Sequence, residues 1–153
     1  MGVLSRWLLM LALAAALPAC TPKRPRAIAW GRESCNHCHM TLADPRFAAE
    51  LLTRTGKAIV FDDVACLATW LAENRAAVGS SWVANFAAPA QWLRADSAVY
   101  LQSDTLRTPM ASGLAALAPG RQADSIRSLF GGRLLSWSDV LAVPHRHTPG
   151  PST

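Results

Sequence analysis

The sequence is short of charge, of long basic stripes and of long apolar runs, and each shortage excludes a class of protein. Only 16% of its 153 residues are charged while 51% are hydrophobic, too apolar and too weakly charged for a disordered chain. The formal charge of +5 is spread thinly, and the only close basic cluster is Lys23-Arg24-Arg26. A nucleic-acid protein would present a longer basic stripe with interleaved aromatics. No apolar run reaches the roughly 20 residues of a spanning helix. No Gly-rich phosphate loop, catalytic carboxylate pair or Ser/His/Asp arrangement stands out, so hydrolytic and nucleotide-driven chemistry lacks support and the chain reads as a non-enzyme.

What is present is concentrated in six residues. Cys35-Asn36-His37-Cys38-His39-Met40 packs two thiols, two imidazoles and a thioether together. Thiolate and thioether sulfur select Cu(I), Zn(II) or iron–sulfur iron, and imidazole suits several metals. A Cys-x-x-Cys pair alone reads equally as half a zinc site or as a redox dithiol. Met40 tips the balance toward Cu(I), which accepts a thioether more readily than zinc does.

The compartment follows from the first twenty residues. Arg6, the apolar stretch from Leu8 to Leu17 and the small residues before Cys20 make a signal peptide over 1–19, its core shorter than a membrane span. Leu17-Pro18-Ala19-Cys20 resembles a bacterial lipobox, which makes Cys20 the expected lipidated residue. Ordinary cleavage near Ala19, leaving Cys20 a free thiol, is the other reading. Both place the domain outside the cytoplasm, facing the periplasm or extracytoplasmic space. Pro22, Pro25 and the basic cluster fit a loose membrane-proximal linker over 20–33.

With Cys20 taken by lipid, Cys35, Cys38 and Cys66 remain, an odd number in an oxidising compartment. Cys66, in the apolar stretch Val64-Ala65-Cys66-Leu67-Ala68, reads as a buried small hydrophobe. Cys35 and Cys38 are then a disulfide, a dithiol or a metal clamp. In an extended strand Cys38 and Met40 point to the same side, so one ion is within reach of both. His37 and His39 face the other way as solvated residues, with His39 the better ligand candidate if the segment turns. Met110 is either a core methionine or a further ligand. Asp62 and Asp63 read as helix caps, because hard carboxylates suit hard cations. His145 and His147 fall in a proline-rich tail over 144–153, expected to be flexible.

The patterning alternates strands and helices. Phe47 to Thr53, a turn at Arg54-Thr55-Gly56-Lys57 and Ala58 to Phe61 predict a hairpin. Asp62 or Asp63 then caps a helix that buries Cys66, Leu67, Trp70 and Leu71. Val78-Gly79-Ser80-Ser81 breaks the pattern, Trp82 to Phe86 is extended and Ala98 to Leu101 is a strand. Ala123, Ile126, Leu129 and Phe130 mark a helix closed by Gly131-Gly132, and Arg133 to Trp137 reads as a last strand. Residues 56–64 match residues 132–140 in character at a constant offset, which suggests a degenerate duplication with Met40 and Met110 at equivalent positions. The expected fold class is α+β, two small related ββα-type units (about 34–78 and 98–143) forming one compact domain.

The run Cys35-x-x-Cys38-x-Met40-x-Leu42-x-Asp44-Pro45-Arg46-Phe47-Ala48-Ala49, followed by Gly56-Lys57, Phe61-Asp62-Asp63-x-x-Cys66, Pro109-Met110-x-Ser112-Gly113 and Gly131-Gly132, resembles the NosL family, copper-binding lipoproteins of nitrous-oxide-reductase maturation. The resemblance covers 34–143. It implies a lipid-anchored extracytoplasmic metallochaperone that hands Cu(I) to a client, nitrous oxide reductase, and to its maturation machinery. Carried over by position, Cys38 and Met40 are the principal ligands, with Met110 an addition. His39 stands where the family often has glycine. The competing reading is a periplasmic thiol–disulfide oxidoreductase using Cys35/Cys38; against it, no βαβ context flanks the pair and Met40 has no role in exchange chemistry.

Overall fold

In the computed structural model, which describes residues 24–74 and 78–143, the predicted hairpin is present as β1 (Ala49–Thr53) and β2 (Ala58–Phe61). Gly56 supplies the left-handed turn residue at φ 84°. The Lys57 amide is held by the Thr53 hydroxyl at 2.9 Å. In register, Ala49 faces Phe61 and Leu51 faces Ile59. On its other edge β1 pairs with β3 (Val78–Asn85), which pairs with β4 (Ala88–Arg94), giving an antiparallel sheet of order β2-β1-β3-β4.

Val78-Gly79-Ser80-Ser81 thus lies beyond the helical pattern, as expected, and is already the start of a strand. The reason is a close approach: a Cβ on Gly79 would lie 2.3 Å from the Leu52 carbonyl oxygen, beside the register shift between Leu52 and Thr53. β4, at the sheet edge, tolerates Pro89, which has no amide to donate.

Between β2 and β3 runs α1 (Val64–Glu73). Asp63 is its N-cap, accepting from the Ala65 amide at 2.8 Å. Val64, Ala65, Cys66, Leu67, Ala68 and Leu71 are its buried residues.

The second unit repeats this plan. β5 (Val99–Gln102) is central, flanked antiparallel by β6 (Leu114–Leu117) and β7 (Arg133–Leu135). α2 (Arg121–Phe130) lies between β6 and β7 in the chain and ends at Gly131, φ 70°. Each unit is therefore ββα followed by a strand that returns to the first, as the expected ββα-type fold class requires. Trp137 does not extend β7 but opens α3 (Trp137–Ala142), fixed by a capping box in which Ser136 and Asp139 bond each other's backbone amides.

The repeat has a different register from the one expected. Residues 56–64 are β2 running into α1, whereas 132–140 are β7 running into α3; the counterpart of β2 is β6. The two stretches look alike because strand, cap and helix share the same local grammar. Met40 precedes β1 and Met110 lies between β5 and β6, so the two are not equivalent.

One core cluster joins the units, with Leu51, Phe61, Leu67 and Val83 of the first packed with Tyr100, Leu114, Leu135 and Val140 of the second. Burying side chains of this size contributes about 1.5–3 kcal/mol each. A second cluster forms around Phe47, Phe86, Leu101 and Leu117. The Phe86 amide reaches the Ala116 carbonyl at 2.8 Å, tying the sheets together. From Arg26 onward the stretch expected as linker belongs to this fold. Ile28 is buried in the main cluster, the Arg26 amide donates to Glu50 at 3.2 Å and its guanidinium pairs with Glu33. Apolar Ile28 and these polar ties hold it down. The expected leader, Cys20 and the tail with His145 and His147 lie outside the described residues.

Candidate metal centre

The segment before β1 doubles back on itself. Ser34 and Thr41 form an isolated bridge, the Cys35 amide donates to the Met40 carbonyl at 2.8 Å, and the His39 amide donates to the Cys35 carbonyl at 3.1 Å. His39 makes the reversal possible by adopting φ 62°, the left-handed conformation that glycine takes without strain. The expected extended geometry, with Cys38 and Met40 on one side of a strand, is therefore replaced by a tight turn. Asn36 fastens that turn to the end of β2, its amide and side chain reaching the Val60 carbonyl at 3.0 and 3.3 Å.

This tie sets the turn over the junction of β2 and α1, which brings Asp62 and Cys66. The sulfurs of Cys35, Cys38 and Cys66 and a carboxylate oxygen of Asp62 all lie within 4.8 Å of one another. Cys35 and Cys66 are 1% exposed and Asp62 3%, while Cys38 is only partly buried. All three cysteines are free thiols.

The electrostatics separate the three thiols. Cys35 is drawn down to about 7, first by a hydrogen bond from the Cys66 thiol, against the opposing effect of burial. The His37 amide also points at its sulfur, 3.5 Å away. The same Cys35–Cys66 contact pushes Cys66 up, burial adding to it. Burial drives Cys38 up to about 12, and its thiol sits 3.4 Å from both Asp62 oxygens. The pocket thus lowers one thiol, Cys35, and raises its two neighbours.

Of the residues singled out from the sequence, Cys35 and Cys38 meet here. Met40 is 47% exposed, and its carbonyl accepts the Cys35 amide. His39 is exposed and His37 partly so. Met110 is partly buried against the main core cluster, as is Cys38, and its amide donates to Asp63 at 3.1 Å. Asp63 is the helix cap; Asp62 is not, and its carboxylate faces the thiols instead. Cys66 is buried in the main core cluster as expected, and it also lies beside Cys35. The odd number of thiols was the sequence signal pointing to it. That Asp62 precedes the cap, rather than serving as it, depends on where α1 begins.

The comparisons with known proteins agree with this fold. The family model for NosL matches residues 28–143. The crystal structure of the copper chaperone NosL from Shewanella denitrificans superposes with a TM-score of 0.67 at 20% identity, covering 77% of this chain and 96% of that one. None of the curated proteins compared matches the chain.

Proposed function

Because the chain belongs to the NosL family, we propose that it is an extracytoplasmic metallochaperone whose cargo is Cu(I). The observation that carries this reading is the position of Cys38, a partly buried thiol next to two buried ones and two residues from an exposed thioether. Soft sulfur donors favour monovalent copper over hard cations. A carrier must also release its ion, which suits a site with one accessible edge better than a closed cage. Cys38 and Met40 are the principal ligands of this proposal, with Cys35 beside them, Met110 available from the neighbouring loop and His39 at the rim.

Dithiol exchange fits the geometry less well. Cys35 and Cys38 sit in a turn ahead of an antiparallel sheet, not at the start of a helix that would lower the attacking thiol's pKa. Cys38, the more accessible of the two, is pushed up, the wrong direction for a nucleophile.

The rest of the proposal rests on the sequence. Leu17-Pro18-Ala19-Cys20 supports lipid attachment at Cys20 after removal of 1–19, holding the carrier on a membrane surface outside the cytoplasm. Residues 34–143 are the copper-binding region and 144–153 a tail. The resemblance to the nitrous-oxide-reductase accessory proteins supports that enzyme as the client. Anaerobic Cu(I) titration of the reduced protein against a chromophoric chelator tests the carrier reading. Cys38→Ser is expected to abolish competitive binding and Met40→Leu to weaken it severalfold. Binding indifferent to Cys38→Ser would overturn the proposal.

A further inference from the structure

Cys66 has no part in a ligand set made of Cys38, Met40 and Met110, yet the fold delivers it to the same point as Cys35 and Cys38. Two chain segments are needed to do this, the turn before β1 and the first turn of α1, and Asn36 bonds one to the strand leading into the other. The three sulfurs are within 4.8 Å of one another. With metal–sulfur bonds of about 2.3 Å, two donors to one ion stand at most about 4.6 Å apart, so small side-chain adjustments bring all three onto a single ion. Asp62 completes the group in space but not in chemistry, since a hard carboxylate is a poor donor to Cu(I). What it offers is an acceptor for the Cys38 thiol, 3.4 Å from either oxygen.

Resting on the copper-carrier reading, we infer that the cargo occupies two nested ligand sets sharing Cys38: an inner one of Cys35, Cys38 and Cys66 beneath the surface, and an outer one of Cys38 and Met40 at the rim. Loading is a ligand exchange with no change of oxidation state. Each thiol that takes up Cu(I) gives its proton to solvent, and on the way inward the Met40 thioether is replaced by the sulfurs of Cys35 and Cys66 while Cys38 stays bound. The ion is therefore never free between the two positions. The inner set, shielded from water, retains the copper; the outer set, half in solvent, is where a donor or acceptor protein can reach it. Release is the same exchange reversed.

The experiment is an anaerobic competition titration of the reduced full-length protein with Cu(I), paired with stopped-flow transfer to a chromophoric chelator. Wild type is compared with Cys66→Ser, Cys66→Ala and Met40→Leu. The Cys66 variants are expected to bind Cu(I) at least tenfold more weakly and to release it faster, whereas Met40→Leu weakens binding only severalfold and slows transfer. The Cys66 variants should keep the wild-type circular dichroism spectrum, so that lost affinity is not lost fold. Wild-type affinity in both Cys66 variants overturns the inner set while leaving the carrier reading intact. Failure of the wild type to bind Cu(I) at all overturns both.

Discussion

The hydroxyl of Ser112 donates to the carboxylate of Asp63, 2.9 and 3.1 Å from its two oxygens and 49 residues away in sequence. The same carboxylate caps α1 through the Ala65 amide and accepts the Met110 amide. One fully buried side chain thus stitches the helix of the first unit to the β5–β6 connection of the second. Asp63→Ala removes the cap and strands a buried amide, so a loss of about 2–3 kcal/mol is expected. Asp63→Asn, which keeps one acceptor oxygen, should cost less. Chemical denaturation of the three proteins checks this, and equal stability of wild type and Asp63→Ala would refute the clamp.

Glu50 predicts an unusual pH dependence. It is fully buried in β1, its Oε2 lacks a hydrogen-bond partner, and burial raises its pKa. Its folded pKa therefore lies above the unfolded value of 4.5. The folded state binds more protons in the window between the two, and the stabilisation, complete below the unfolded pKa, is lost as pH rises through the folded one. Glu50→Gln should remove that fall and leave the variant more stable than wild type at neutral pH by something on the order of 1 kcal/mol. Denaturation midpoints measured from pH 4 to 8 decide it; parallel profiles for the two proteins would contradict the assignment.

Ala111 holds φ 52°, a left-handed conformation that costs a residue with a Cβ about 1 kcal/mol relative to glycine. Ala111→Gly is expected to raise the melting temperature by about 2–5 °C. An unchanged or lower value in a thermal melt would mean that chain entropy in the unfolded state outweighs the relief.

His39 shares that conformation, which makes glycine a clean probe of its imidazole. His39→Gly preserves the turn, so any change in Cu(I) affinity reports the ring alone. The exposed ring should contribute less than the Met40 thioether, and His39→Gly is expected to weaken binding by less than Met40→Leu in the same competition assay. A larger effect would place the imidazole among the principal ligands.

Much of the first unit was legible from local pattern, because Gly56 announces the β1–β2 turn and the spacing of Cys66, Leu67, Trp70 and Leu71 announces α1. β5 and α2 were legible for the same reasons. β6 was not: Leu114-Ala115-Ala116-Leu117 is buried throughout and shows no alternation. β4 was hidden by Pro89 and by a burial pattern without period two. α3 was absorbed into β7 because the signal separating them is a single capping box at Ser136 and Asp139. At the centre itself, Cys35 and Cys38 were legible as a pair, but the recruitment of Asp62 and Cys66 depends on the hydrogen bond from Asn36 to Val60. That is a contact across 24 residues, which no spacing rule encodes.

The same contact makes the centre a reporter of folding. Cys38 and Asp62 are 24 residues apart in sequence, and what closes that gap is the β1–β2 hairpin, whose formation has already met the entropic cost of the loop. An unfolded chain cannot bring Cys66 and Asp62 to Cys35 and Cys38, and an ion that binds only the gathered form would raise the stability of the folded state in proportion to the logarithm of its concentration. Cys66 and Asp62 therefore join Cys35 and Cys38 only in a finished fold, so the assembled four-residue centre is itself a mark of correct folding.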